Sequence, residues 1–261
     1  MNQEQLIALF TKEQRIEITF PGYRREQEGG VIRQIALENE SEGGFVLHTD
    51  LNENNVDEAI VKQLAYFREL KQSFEWKVYS DDKPSNLKER LLAHGFNIGE
   101  EEAMMVIQLA DGHELLQYEI PTSIRPVTDA AGIDALVALE ETVWGVPHAE
   151  HGERLKQDLQ DKQIGLHIYA AYDGDQMVSA AWMYLHEGTS FASIWGGSTL
   201  AEYRGKGHYS ALLAVRAQAA WRAGFRLMTV DASPMSRPIL ARRGFELLAY
   251  TWPCQSPVHN I

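Results

Sequence analysis

The stretch Thr199-Leu200-Ala201-Glu202-Tyr203-Arg204-Gly205-Lys206-Gly207-His208-Tyr209 decides the reading of this chain. It lies between an apolar run, Phe191 to Thr199, that reads as a strand and an alanine-rich run, Tyr209 to Ala223, that reads as a helix. Glycines in a strand-to-helix turn bring the backbone close to a ligand and take φ values that other residues avoid. Backbone N–H groups of the turn and of the helix N-terminus then converge on one place, which suits an anion. Arg204 and Lys206 add formal positive charge there. The turn is neither a Walker loop nor a dinucleotide fingerprint, because no Gly-Lys-Ser/Thr follows a four-residue gap and no G-x-G-x-x-G occurs.

Charge points the same way. With 24 basic and 37 acidic residues the chain carries −13, which argues against nucleic-acid binding. Residues 1–120 hold 12 basic and 23 acidic groups, whereas residues 203–243 hold eight basic residues against the single acid Asp231. Positive charge concentrated in an acidic protein predicts an anionic ligand, a solvated face of arginines being the alternative. Hydrophobic residues at 44% and charged residues at 23% describe a folded chain, and 261 residues suit one large domain or two small ones. No apolar run approaches the roughly 18 residues of a membrane span. Met1 to Gln5 show no leader-like pattern. One cysteine, Cys254, excludes a disulfide framework and a cysteine-based zinc site. The expectation is a cytoplasmic protein with no membrane or nucleic-acid partner.

Working outward, residues 3–12 and 56–70 read as helices, 31–38, 44–49, 74–79 and 103–109 as strands, and 86–93 as a short helix. Residues 110–123 read as a connection. Beyond it come a strand at 124–127, helices at 128–143 and 153–161, and strands at 168–172 and 177–185 joined at Asp173-Gly174-Asp175-Gln176. A strand at 226–230, a short helix ending at Gly244 and a strand at 245–251 close the chain. Sliding one half over the other by 149 places Gly95-Phe96 on Gly244-Phe245 and Asp82 on Asp231. The order of elements then matches, so one supersecondary plan is expected twice, in domains 1–117 and 118–261.

The segment Arg204-Gly205-Lys206-Gly207 resembles the acyl-CoA signature of the GNAT superfamily of N-acetyltransferases, R/Q-x-x-G-x-G/A, with Tyr209 departing from the last position. The resemblance extends over residues 123–252: Ile124-Arg125-Pro126-Val127-Thr128 is similar to the family's opening strand and Leu240-Ala241-Arg242-Arg243-Gly244-Phe245 to its closing helix and strand. It implies an α/β (α+β) fold of two GNAT-like halves, each a mixed, mostly antiparallel sheet flanked by helices. It further implies that acetyl-CoA, as co-substrate, lies in a gap between Gly196–Thr199 and Arg226–Val230. The residues so implied are Gly197, Ser198, Thr199, Arg204, Gly205, Lys206, Gly207, His208, Tyr209 and Ser233. Gly196-Gly197 suits close backbone approach, and equally a simple β-bulge.

Acetyl transfer requires an unprotonated amine, an electrophilic thioester and a proton for the departing thiolate. Many family members supply that proton from a Tyr four residues before the Gly-Phe pair, where this chain has Leu240. Ser233 and Ser236 are hydroxyl candidates, with helix capping as their alternative, and Tyr209 and Tyr250 are further hydroxyls. Glu140 and Glu141, or His148 and His151, are base candidates where the first two helices would overhang an acceptor, each with a solvated surface position as the commoner alternative. No third ligand joins His148 and His151, so no metal is expected. Trp144, Trp182 and Trp195 read first as core.

At an offset of 149, Arg204 falls on Asn55, Lys206 on Asp57 and Gly207 on Glu58, which sets carboxylates where a phosphate would lie. The first half is therefore expected to keep the fold without the cofactor site, its role open between a pocket wall, a surface for a homodimer and simple burial. Two functions follow. One is an acetyl-CoA-dependent transferase acting on a primary amine of an unidentified small molecule or peptide. The other is a non-catalytic acyl-CoA-binding or regulatory module.

Overall fold

The computed structural model describes residues 1–37 and 43–257. Residue 38, the last of the strand expected at 31–38, lies outside them. Two compact units divide the chain. The first takes the described residues of Met1–Met105, Asp231–Arg242 and Glu246–Ile261, and the second takes Val106–Val230 with Arg243–Phe245. This differs from a break at 117/118. The late strand pairs with the first unit and carries its segment there, a long-range choice that local composition does not announce.

In the first unit, α1 (Gln3–Phe10) runs into a π-helical stretch, Thr11–Glu17. Strands β1 (Tyr23–Glu28), β2 (Val31–Ala36) and β3 (Gly44–Thr49) follow as an antiparallel meander. Helix α2 (Val56–Glu69) then crosses to β4 (Phe74–Tyr79), which is parallel to β3. Helix α3 (Leu87–Ala93), β5 (Asn97–Ile98) and β6 (Glu102–Gln108) complete the first passage. Burial of Val56, Ile60 and Phe67 on one side of α2 sets it against Phe74 and Trp76. These spacings place apolar groups on one helical stripe, and their transfer from water holds the layer together.

In the second unit, α4 (Glu114–Gln117) precedes β7 (Ile124–Val127), α5 (Ala130–Trp144) and α6 (Ala149–Gln160). Asp129 caps α5 by accepting from Gly132 N at 2.8 Å, and Gly145 ends it in the left-handed region. Strands β8 (Leu166–Asp173), β9 (Gln176–Leu185) and β10 (Phe191–Thr199) form a meander with β7 at its edge. Helix α7 (His208–Arg222) crosses to β11 (Leu227–Ala232), parallel to β10. The following helix α8 (Arg237–Ala241) and strand β12 (Glu246–Gln255) belong to the first unit, β12 pairing with β4 and β5.

Each unit therefore holds an antiparallel meander followed by one parallel pair bridged by a helix, as the repeat predicts. The equivalence is not a constant 149. The parallel strands begin at residues 44 and 191, the crossover helices at 56 and 208, and the returning strands at 74 and 227, so the offset runs from 147 to 153. Helix N-caps Asn55 and Gly207 correspond, which sets Glu58, in the first turn of α2, opposite Ser210 and corrects its match with Gly207. Among the described residues, no helix is long and apolar enough to cross a membrane.

Candidate active site

Three residues of β10 pair with β11: Phe191 with Leu227, Ala192 with Met228 and Ser193 with Thr229. Pairing then stops although β10 continues to Thr199. On its other side β10 keeps to β9 through Trp195–Trp182 and Gly196–Ala181, then shifts register so that Ser198 meets Ala180. Gly197 is the extra residue, and Gly196 and Gly197 have φ of 70° and 102°. A Cβ on Gly196 would lie 2.4 Å from the Trp182 ring, and one on Gly197 2.9 Å from the Tyr209 ring. The bulge reading of the glycine pair holds, and the missing side chains leave room for two aromatic rings against the backbone.

Beyond the bulge the chain turns through Ala201–Tyr203 into Arg204, which is extended and donates from Nε to the Thr199 carbonyl at 3.1 Å. Gly205 and Gly207 have φ of 75° and 86°, and a Cβ on either would meet no atom within 4 Å. The first main-chain bond of α7 runs from Ala211 N to Gly207 O, so the amides of His208, Tyr209 and Ser210 lack an intrahelical acceptor. No side chain caps the helix and its first turn carries no acid. The positive end of a 15-residue helix and two bare glycines thus face outward beside Arg204 and Lys206, whose ammonium lies 4.5 Å from the Tyr203 ring. Tyr203 is itself tied down, donating to Asp173 at 2.8 Å. Tyr209 leans on Gly197, so the bulky residue of this turn is accommodated by a missing side chain opposite it. Burial pushes its phenol pKa above the usual value.

The basic run is less uniform than its composition. Arg216 is buried, and Arg226 lies 3.6 Å from the Trp221 ring while donating to the carbonyls of Trp221 and Phe225. Arg243 pairs with Glu114 and Ser210. Arg204 and Lys206 are the cations of this run placed in the glycine turn itself.

Against the far end of β10 stands a hydrogen-bonded chain. The Trp144 indole donates to Ser198 Oγ at 2.9 Å, and Ser198 Oγ donates to Glu140 Oε1 at 3.1 Å. Glu140 is 5% exposed, which overturns its reading as a solvated group. Glu141 is exposed and accepts from His148 N, closing the turn between α5 and α6. His151 lies 5.1 Å from the Trp182 ring, and burial lowers its pKa against the attraction of Glu140. His148 Nε2 is buried with no partner among the described residues. Of the three tryptophans read as core, only Trp182 is buried; Trp144 and Trp195 are 53% and 45% exposed, their indole nitrogens held by Ser198 and Ser193.

Ser193 also meets His186 Nε2 at 2.8 Å, where burial holds the imidazole pKa down at about 4. Nothing in the sequence marks this pair, since a serine within an apolar strand looks like filler. Ser179 donates to the Ser198 carbonyl and meets Thr199 Oγ1, both at 2.8 Å. Ser233 and Ser236 belong to the segment that groups with the first unit, where their hydroxyls face each other at 3.2 Å and Ser233 Oγ accepts from Ser236 N. Leu240, in the same segment, is fully buried.

The first unit repeats the strand geometry without the opening. Strands β3 and β4 also pair over three residues, Gly44–Val46 with Phe74–Trp76, and then part. Arg15 enters there. Its Nε donates to the Leu47 carbonyl at 2.9 Å, its Nη2 meets Asp82 at 2.5 Å, and its guanidinium lies 3.7 Å from the Tyr79 ring. A cavity beside it, lined in part by Phe10 and Tyr79, has about 10 Å³, room for one water. The turn before α2 has Asn52, Glu53, Asn54 and Asn55 in place of glycines, with Asp57 and Glu58 in the first helical turn.

No family model matches the chain, and no curated protein matches it in sequence. Solved structures do resemble it. A GCN5-related N-acetyltransferase from Kribbella flavida superposes with a TM-score of 0.68 at 15% identity, covering 98% of this chain and 96% of its own. A functionally unknown conserved protein from Staphylococcus epidermidis gives 0.68 at 15%, covering 96% and 98%. A tandem GNAT protein from the clavulanic acid biosynthesis pathway gives 0.61 at 13%, covering 100% and 89%. The chain has the mixed α/β fold of these GNAT acetyltransferase structures.

Proposed function

We propose that the second unit binds acetyl-CoA and transfers its acetyl group to a primary amine of a small molecule or peptide. The observation that carries this is the parting of β10 from β11 after Ser193, beside the uncapped N-terminus of α7 and its two glycines. An extended thioester arm fits between strands that have stopped pairing, and a diphosphate fits converging amides with Arg204 and Lys206 beside them. Gly197, Ser198 and Thr199 would line the arm, and Gly205, Gly207, His208 and Tyr209 the diphosphate. Ser233 is assigned no contact with it.

Glu140 is the proposed base. Its carboxylate is buried and already accepts one hydrogen bond from Ser198, so it is oriented and partly desolvated, as a proton acceptor for an incoming ammonium should be. Glu140 takes one proton from the ammonium, the freed amine nitrogen attacks the thioester carbon, the C–N bond forms and the C–S bond breaks, and the second proton shed by that nitrogen passes through water to the thiolate, which leaves as the thiol. Leu240 supplies no such proton. The first unit is assigned no acyl-CoA, because Arg15 occupies the corresponding strand gap and its turn lacks glycine.

Thiol release from acetyl-CoA with a panel of amines tests the reading, alongside calorimetric titration. Turnover with at least one amine is expected. Binding without turnover across the panel would favour the non-catalytic module, and absence of binding would overturn the site.

A further inference from the structure

Arg216 is the largest charged side chain in the core, 1% exposed and, among the described residues, without a carboxylate partner. Its three assigned bonds all go to main-chain oxygens: Nε to Leu212, and Nη1 to both Trp182 and Trp195, each at 3.0 Å. Trp182 and Trp195 face each other across β9 and β10 at the last regular pairs before the bulge. Burial lowers the guanidinium pKa to about 10, so holding a charge there opposes its own desolvation. An apolar residue of that volume would avoid desolvating a charge but would leave these carbonyls without the donor they have here.

Where the arginine sits on α7 matters as much. It is eight residues beyond His208, about 12 Å along the helix from the amides that make the anion cradle. One rigid helix thus presents the cradle at its N-terminus and grips both strands at the bulge further along. From this geometry we propose that Arg216 is a positioning residue: it fixes the bulge of β10 in register with the α7 N-terminus, so that diphosphate and thioester are met by one preset surface. The proposal rests on the acetyl-CoA reading above. Without the guanidinium, the Trp182 and Trp195 carbonyls lose their common partner and the bulge is free to slip along β9, as strands do where pairing is weakly specified.

The test uses the full chain with acetyl-CoA as probe. For Arg216→Met we expect a folded chain, acetyl-CoA affinity reduced at least tenfold, and faster hydrogen exchange in residues 194–199. Arg216→Lys keeps the charge but cannot fork, and should restore affinity only in part. A folded Arg216→Met with parental affinity and exchange would overturn the proposal. If Arg216→Met does not fold, Arg216→Lys decides, parental affinity again overturning it. Failure of the parent to bind acetyl-CoA would instead overturn the function on which the proposal rests, and the two failures are told apart by the parent's own titration.

Discussion

Arg15 Nε donates to the main-chain oxygen of Leu47 at 2.9 Å, just where β3 ceases to pair with β4. The same guanidinium reaches Asp82, itself an acceptor for Tyr79 N at 2.9 Å, and both side chains are at most 5% exposed. A strand edge that has lost its neighbour leaves carbonyls unpaired, and in this unit a side chain from the N-terminal helical segment answers one of them. The segment is anchored further by Gln34 and Arg25, which donate to the carbonyls of Ile18 and Ile16.

Arg15→Met should therefore destabilise the chain by roughly 3–5 kcal/mol, because it leaves the Asp82 carboxylate buried without its cation. Urea unfolding of the intact chain measures this. Adding Asp82→Asn should recover more than half of the loss; equal losses in the single and double variants would mean that Arg15 acts by filling space alone.

Gly207→Glu should abolish most acetyl-CoA binding. A carboxylate about 4 Å from a diphosphate near a protein surface is repelled by roughly 4 kcal/mol, about a thousandfold in affinity. The backbone at φ 86° adds strain for any residue with a Cβ. Arg204→Ala should cost less, about 1.5–3 kcal/mol. Circular dichroism checks folding, and titration with acetyl-CoA gives both affinities. Parental affinity in folded Gly207→Glu would move the site elsewhere.

Glu140→Gln preserves shape and still accepts from Ser198, yet cannot take a proton. Acetyl-CoA affinity should stay within about twofold while kcat falls by roughly two to four orders of magnitude. The loss should be greatest at neutral pH and shrink as pH rises and the acceptor amine deprotonates unaided. Unchanged kcat at pH 7 would remove Glu140 from the chemistry.

Acid should weaken the fold through His186. Its pKa is held at about 4 by burial, against roughly 6.5 in an unfolded chain, so the folded state favours the neutral ring. The associated stability is complete above pH 6.5 and is lost as pH falls toward 4, amounting to roughly 3 kcal/mol. His48, His151 and His167 shift downward for the same reason and add to the slope. His186→Gln should reduce the pH dependence of the urea midpoint between pH 4 and 6.5 by about one proton. An unchanged slope would mean that the buried imidazole is not neutral.

Much of the element order was legible from local pattern. Strands at 44–49, 74–79, 124–127 and 191–199 stand where alternation and apolar runs place them. Strand β1 was not, because Tyr-Arg-Arg-Glu-Gln-Glu is charged; it is an edge strand paired only with β2, where charge is tolerated. Helix α6 begins at Ala149, earlier than the apolar spacing suggests, and β12 runs to Gln255 through Pro253, since its pairing with β4 overrides the local stop.

The glycine turn at 204–209 was readable in the sequence because its chemistry is local: φ values, unpaired amides and two cations are properties of consecutive residues. Arg15 on Leu47, Glu140 beneath Ser198 and Arg216 on the Trp182 and Trp195 carbonyls were not readable. Each joins residues 21 to 58 positions apart, and in each the deciding quantity is burial. An arginine or glutamate in a polar segment looks solvated until packing removes the water, and only then does its charge require the partner that gives it a role.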